Sequence, residues 1–243
     1  MPVRDQLLGS TQPVLSISLE PGESVVAETA EFAWMTDSIQ MAAGPAGQSV
    51  YTAKVAAGTI AFAARLPGSI VCLEISAEQE YLVHRRGFLA GTQGIEVTGG
   101  FRQPLPASTD AADEFVLRRL CGHGRAWVDL SGDVVRRDLA KGTSLRTRPW
   151  HLGICEASVA VQMAELWHAA DCQSGGGAHH FAVLSGPGSV WLQSMPLPAG
   201  SARSLAADPA RGRPTVEGAA GLPTRPHRTG QPTGRGVHVP SRD

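Results

Sequence analysis

Leu15, Ile17 and Leu19 alternate with Ser16 and Ser18, the turn chemistry Glu20-Pro21-Gly22-Glu23 follows, and Ser24, Val25, Val26 and Ala27 resume the apolar run. Apolar residues at every second position give the period of a half-buried strand, and Pro-Gly between two such runs reads as a hairpin. Residues 139–145 repeat the reading around Gly142, whereas residues 75–81 lack the glycine and call for a turn that tolerates side chains. A second type of hairpin is predicted at 60–66 before Pro67 and Gly68, at 116–120 before Gly122 and Gly124, and at 181–184 before Gly186, Pro187 and Gly188. Val159, Val161 and Met163 alternate inside a stretch otherwise rich in helix formers, so strand is predicted through Met163.

These runs recur. Residues 17–72, 73–128 and 137–192 align without a gap at offsets of 56 and 64. The alignment places Phe32, Ile39 and Met41 against Phe88, Ile95 and Val97, and against Leu152, Val159 and Val161. It also superposes Gly68 on Gly124 and Gly188, and Trp127 on Trp191 with Val71 in the first copy. A recurring unit buries its apolar face against its own copies. The expected fold is therefore all-β, a pseudo-threefold barrel built from three 56-residue hairpin repeats in a single domain over residues 1–200. Its expected single core joins Ile17, Leu19, Ile39 and Met41 to Leu73, Ile75, Ile95, Val97, Leu139, Val159 and Val161. The intervening segments 42–59, 98–115 and 162–179 share almost no sequence and are expected to be variable loops. Within the last, Leu166 and Trp167 suggest an exposed apolar patch and self-association.

Composition adds three points. A hydrophobic content of 42% in 243 residues is enough for a real core. Formal net charge is −1, but residues 201–243 carry seven arginines, no lysine and three acids, which leaves residues 1–200 at −5. An acidic globular part argues against duplex nucleic acid as partner, since that binding depends on neutralising phosphates. The four cysteines, Cys72, Cys121, Cys155 and Cys172, form no C-x-x-C or tight pair, and are read as reduced, mostly buried thiols in a cytoplasmic protein. No secretory h-region and no run approaching 18 apolar residues appears, so no membrane span is expected.

Candidate chemistry is sparse. His179 and His180 beside Gly175–Gly177, and His123 next to Cys121, are weak candidates for a metal site; neither H-E-x-x-H nor the histidine-glutamate pattern of a cupin-type barrel accompanies them. Ser185 and Ser189 flank a turn rather than a nucleophile elbow. The triple glycine lacks the lysine of a phosphate-binding loop. The tryptophans invite a single-strand stacking hypothesis, but Trp127 and Trp191 share a repeat position and are expected to pack. The pairs Arg85-Arg86, Arg118-Arg119 and Arg136-Arg137 read as solvated strand edges. No cofactor is expected.

The residues of several stretches resemble the altered inheritance of mitochondria family. They are Leu19-Glu-Pro-Gly-Glu-Ser-Val25, Leu66-Pro-Gly-Ser-Ile70 running on to Tyr81-Leu-Val-His-Arg-Arg-Gly-Phe-Leu-Ala90, Gly132-Asp-Val-Val-Arg-Arg-Asp-Leu139 and Leu184-Ser-Gly-Pro-Gly-Ser-Val-Trp-Leu-Gln-Ser194. The resemblance implies a barrel like that of tryptophan-attenuation RNA-binding proteins, often further assembled into oligomers, with no catalytic residues to carry over. The expected function is a non-enzymatic binding or scaffold module acting through contacts with an unknown protein partner or with itself. An RNA-binding barrel by fold analogy and, third, a metal-dependent cupin-like enzyme are the alternatives.

Beyond Gly200 the pattern gives way to Pro, Gly and Arg, and residues 201–243 are expected to be a disordered tail, either a genuine extension or the product of a shifted reading frame. Truncation after Gly200 is expected to leave the melting temperature within about two degrees, because a segment that buries little stabilises little. A thermal melt of the truncated chain checks this; a large drop would contradict it.

Overall fold

Strand pairing dominates the molecule. The computed structural model describes residues 3–104, 114–166 and 179–195; these are all-β, with three single-turn 3-10 segments and no α-helix among them. After an N-terminal strand β1 (Arg4–Leu8), a first set comprises β2 (Val14–Leu19), β3 (Ser24–Ala27), β4 (Phe32–Met35), β5 (Ile39–Ala43), β6 (Ser49–Ala53) and β7 (Gly58–Ala63). A second comprises β8 (Gly68–Ile75), β9 (Tyr81–His84), β10 (Phe88–Thr92), β11 (Ile95–Gln103), β12 (Phe115–Gly122) and β13 (Gly124–Ser131). A third comprises β14 (Val134–Leu139), β15 (Ser144–Thr147), β16 (Leu152–Glu156), β17 (Ala160–Leu166), β18 (His179–Ser185) and β19 (Gly188–Gln193).

In the first set β7 lies between β2 and β4, and β6 between β3 and β5. In the second β13 lies between β8 and β10, and β12 between β9 and β11; in the third β19 lies between β14 and β16, and β18 between β15 and β17. Two junctions join the sets, β3 with β10 and β9 with β16, both antiparallel. The result is two six-stranded sheets, a four-stranded sheet β1-β2-β7-β4 and a three-stranded sheet β15-β18-β17. Among the described residues no sheet closes on itself: four open antiparallel sheets stand where one closed barrel was expected, because the outer strands β5, β8, β11 and β14 of the two six-stranded sheets pair on one side alone.

The gap-free alignment holds through the fourth strand of each set and then slips. Residues 44–48 join β5 to β6, whereas β11 and β12 are separated by residues 104–114, so the first set is shorter. Segment 42–59, expected as a loop, contains the strand β6, and β11 extends to Gln103. Pro67 lies between sets and Gly68 opens β8, which is not paired with β7, so no hairpin forms there; the glycine that opens β7, as Gly124 opens β13 and Gly188 opens β19, is Gly58. Ala61, not Val71, stands where Trp127 and Trp191 stand: Trp34 pairs Ala61, Ala90 pairs Trp127 and Ile154 pairs Trp191.

The opening glycines are required by a close approach. A Cβ on Gly58 would come within 2.6 Å of the Thr36 Oγ1 and 2.8 Å of Ile39; on Gly124 it would collide with the Thr92 Oγ1; on Gly188 it would meet Ser158 Oγ at 2.6 Å and Val159 at 2.8 Å. Thr36 Oγ1 accepts the Thr59 N–H and Thr92 Oγ1 accepts the Arg125 N–H, each at 3.1 Å. The first-hairpin turns follow expectation: Gly22 and Gly142 take positive φ (+91° and +82°), and Ser76 bridges Gln79 around Ala77 and Glu78 without a glycine.

The core is three clusters rather than one. Ile17, Leu19 and Ile39 belong to the first, with Leu89, Ala90 and Trp127 from the second set. Leu73, Ile75 and Ile95 belong to the second, with Val97 against it and Ile154 and Trp191 from the third set. Val159 belongs to the third, with Leu139 and Val161 packed against it and Leu82, Phe115 and Leu117 from the second. Met41 is 55% exposed and joins none of them. Each apolar cluster therefore spans a junction, which ties burial to strand pairing between sets.

Ile39→Ala should cost about 2–5 kcal/mol of stability by urea unfolding, since it empties a buried site. Gly188→Ala, at φ +137° and against Ser158, should cost about 1–3 kcal/mol. A neutral result at either would show that the site can relax, contrary to this packing.

Candidate interaction edge and the buried junctions

Each junction is built the same way. Ala27 faces Ala90, Val26 faces Gly91 and Val25 faces Thr92 at the first; Val83 faces Ile154, Leu82 faces Cys155 and Tyr81 faces Glu156 at the second. The receiving strands are bulged where they meet their own set, between Phe88 and Ala90 and between Leu152 and Ile154. β4 has the same irregularity between Phe32 and Trp34.

Polar side chains latch the ends of the sets together. The Arg65 N–H donates to Asp129 Oδ2 at 3.0 Å, and in the corresponding place the Ser131 N–H donates to Gln193 Oε1 at 3.0 Å. Gln193 also donates to the Trp150 carbonyl at 2.8 Å, and His151 Nδ1 lies 2.8 Å from the Gln193 carbonyl. Arg65 pairs with the buried Glu31 and donates to the Arg86 carbonyl at 3.0 Å. Burial raises the Asp129 carboxyl above its ordinary value, against the lowering effects of Arg65, and its Oδ1 has no hydrogen-bond partner. Arg118 crosses the first junction to Glu28 at 2.5 Å.

Beside this cluster His84 is buried, edge-on to Trp150 with ring centroids 6.2 Å apart. Its Nδ1 faces the Arg86 N–H at 3.4 Å, so it accepts and the ring is neutral. Burial first, then Arg85, Arg86 and Arg65, lowers its pKa to about 3. Of the arginine pairs read from sequence as solvated edges, Arg136 and Arg137 are exposed on the edge strand β14, with Arg136 5.1 Å above the Trp191 ring, whereas Arg118 and Arg119 lie on the inner strand β12 and pair with Glu28 and, at 2.7 Å, with Glu80. Trp127 is covered likewise by Arg125 at 5.3 Å, and its Nε1 donates to Asp5 of β1 at 3.0 Å.

The third edge differs. At the first junction Phe88 is 1% and Ala90 0% exposed, and at the second Leu152 and Ile154 are 0% exposed. The corresponding Phe32 and Trp34 on β4 are 37% and 49% exposed, with Phe32 stacked on Tyr51 at 5.8 Å. Sequence reasoning missed this surface because Trp34 and Phe32 look like their buried counterparts.

The histidine candidates are not brought into one site. His123 is exposed in the β12–β13 hairpin, where its N–H donates to the Gly94 carbonyl at 3.0 Å. His179 and His180 open β18; the His180 side chain is buried with its Nε2 unpartnered. Among the described residues no group of three or more His, Cys, Asp or Glu could hold a metal ion. Cys155 is buried with its thiol pushed up to about 12, while Cys72 is exposed, at about 11, and Cys121 half-buried, which corrects the expectation of mostly buried thiols. Trp167, Cys172, Gly175–Gly177 and the tail 201–243 lie outside the described residues, and so does the Leu166 side chain.

The sequence profile of the family described as Mitochondrial biogenesis AIM24 matches residues 6–195. The chain belongs to that family. This AIM24 chain is also similar to a Streptococcus pyogenes protein solved by X-ray crystallography: TM-score 0.63, 17% identity, covering 80% of this chain and 94% of that one. At such identity the likeness is one of fold. No curated protein matches the chain. Among the described residues no helix is long and apolar enough to cross a membrane.

The AIM24 junctions generate a pH prediction through His84. The unfolded imidazole titrates near 6.5 and the native one near 3, so below pH 6.5 the unfolded chain takes up a proton that the native chain excludes. Stability from this group is fully present above pH 6.5 and lost as pH falls towards 3. Urea unfolding at pH 7, 5.5 and 4.5 should show a decline that His84→Gln flattens; an unchanged slope in the variant would contradict a buried neutral His84.

Proposed function

We propose that this AIM24-family protein is a non-enzymatic binding or scaffold module that works through protein contacts in the cytoplasm, and that its three strand sets are copies of one unit related by an approximate threefold axis. The observation that carries the binding role is the β4 edge, where Phe32 and Trp34 stay exposed although their counterparts at both junctions are buried. A strand edge with unpaired backbone groups and apolar side chains is a template for another chain. Supporting the repeat are the three identical pairing orders and the common bulge in β4, β10 and β16.

The test separates this reading from metal and RNA chemistry. The purified full chain should contain far less than one metal ion per molecule and show the ultraviolet spectrum of protein alone. Trp34→Lys should abolish cross-linked complexes without lowering the melting temperature. Stoichiometric metal or co-purified RNA overturns the proposal, and so do complexes indifferent to Trp34→Lys.

A further inference from the structure

The two shorter sheets have the order of two halves. Placed side by side through β15 and β4, β17-β18-β15 and β4-β7-β2 give the order of the two six-stranded sheets, β5-β6-β3-β10-β13-β8 and β11-β12-β9-β16-β19-β14. In both complete sheets the central contact joins the second strand of one set to the third strand of the next. The second strand of the last set is β15, and the third strand of the first set is β4. Neither has a partner on that side among the described residues.

Resting on the binding-module reading, we propose that the partner of β4 is β15 of a second copy of this chain, added antiparallel so that copies assemble head to tail. The register follows from the existing junctions at the offsets of 56 and 64: Thr147 faces Trp34 as Ala27 faces Ala90 and Val83 faces Ile154. Arg146 then faces Met35, and Leu145 faces Thr36.

Four observations favour this occupant. The edge is unguarded: β4 reads Phe-Ala-Trp-Met, with no charge and no proline of the kind that blunts an edge. Its bulge is no obstacle, because β10 and β16 carry the same bulge and still pair on the other side. Charge is complementary, with exposed Arg146 in the donor strand, exposed Arg148 just after it and exposed Asp37 following the acceptor, as Arg118 and Glu28 already pair across the first junction. Within one chain the two edges do not pair, and Phe32 and Trp34 stay exposed, so the missing strand comes from outside it. Because donor and acceptor are different surfaces, the interface is heterologous and builds a ring or a filament.

The experiment uses the full chain. Light scattering should give a mass of at least two chains at micromolar concentration. Arg146→Pro, which removes a donor from β15, should return it to one chain, whereas Met41→Lys on the separate edge strand β5 should leave it unchanged. A mixture of Trp34→Cys chains with Thr147→Cys chains, oxidised and mapped by mass spectrometry, should yield the 34–147 linked peptide, and a Trp34→Cys plus Ser144→Cys mixture far less. In the mixture that link forms only between chains, so it decides the question even where Arg146→Pro unfolds the protein. A monomeric protein, a multimer indifferent to a folded Arg146→Pro variant, or a 34–147 link found only within a doubly substituted chain overturns the proposal. The last would mean closure within one molecule. A monomer leaves the broader binding role standing, whereas stoichiometric metal or RNA removes that role whatever the mass.

Discussion

The backbone hydrogen bonds that one strand set lends to the next are the constraint on which the rest of the structure depends. A set of six strands forms two three-stranded sheets with four edges and leaves apolar side chains uncovered, and buried backbone groups without partners are too costly to persist. Pairing β3 with β10 and β9 with β16 satisfies one edge of each of these strands and covers the apolar clusters in the same act, since each cluster draws residues from both sides of a junction. At the ends of the sets Asp129 and Gln193 each accept the exit N–H of the preceding set. His84 is tolerated at depth only because it stays neutral.

Much of the architecture was legible from periodicity. Alternation at Leu15, Ile17 and Leu19 and the turn glycines Gly22 and Gly142 mark real hairpins, and the match of Ile39, Ile95 and Val159 marks one buried position three times. Later register was not legible, because a gap-free alignment has no means of sensing that residues 44–48 do the work of a longer connection in the second set. Gly58 is missed for that reason, although Thr36 and Ile39, which exclude a side chain there, align without a gap with Thr92 and Ile95.

The functional surface was less legible, and the cause is physical. Phe32 and Phe88 are chemically the same and occupy the same strand position, yet one is exposed and the other buried, because exposure depends on whether a neighbouring strand is present. Charge misled in the opposite direction at Arg118, which reads as a solvated edge but lies on the inner strand β12 and joins an ion pair across a junction; Arg136 is exposed on the edge strand β14 as its charge suggests, and also covers a tryptophan. A guanidinium with a planar partner or a carboxylate close by serves packing as readily as solubility. Family membership then places the chain without naming its partner, which is why the unfilled edge carries the functional argument.

Amide hydrogen exchange on the dilute full-length protein tests the central claim, that strand pairing between sets holds the structure and, among the described residues, is lacking at β4 and β15. The account predicts slow exchange, near the limit set by global unfolding, for residues 90–91 in β10 and 154–155 in β16, with faster exchange along the outward side of β4. Protection of β4 equal to that of β10 at every protein concentration would contradict it.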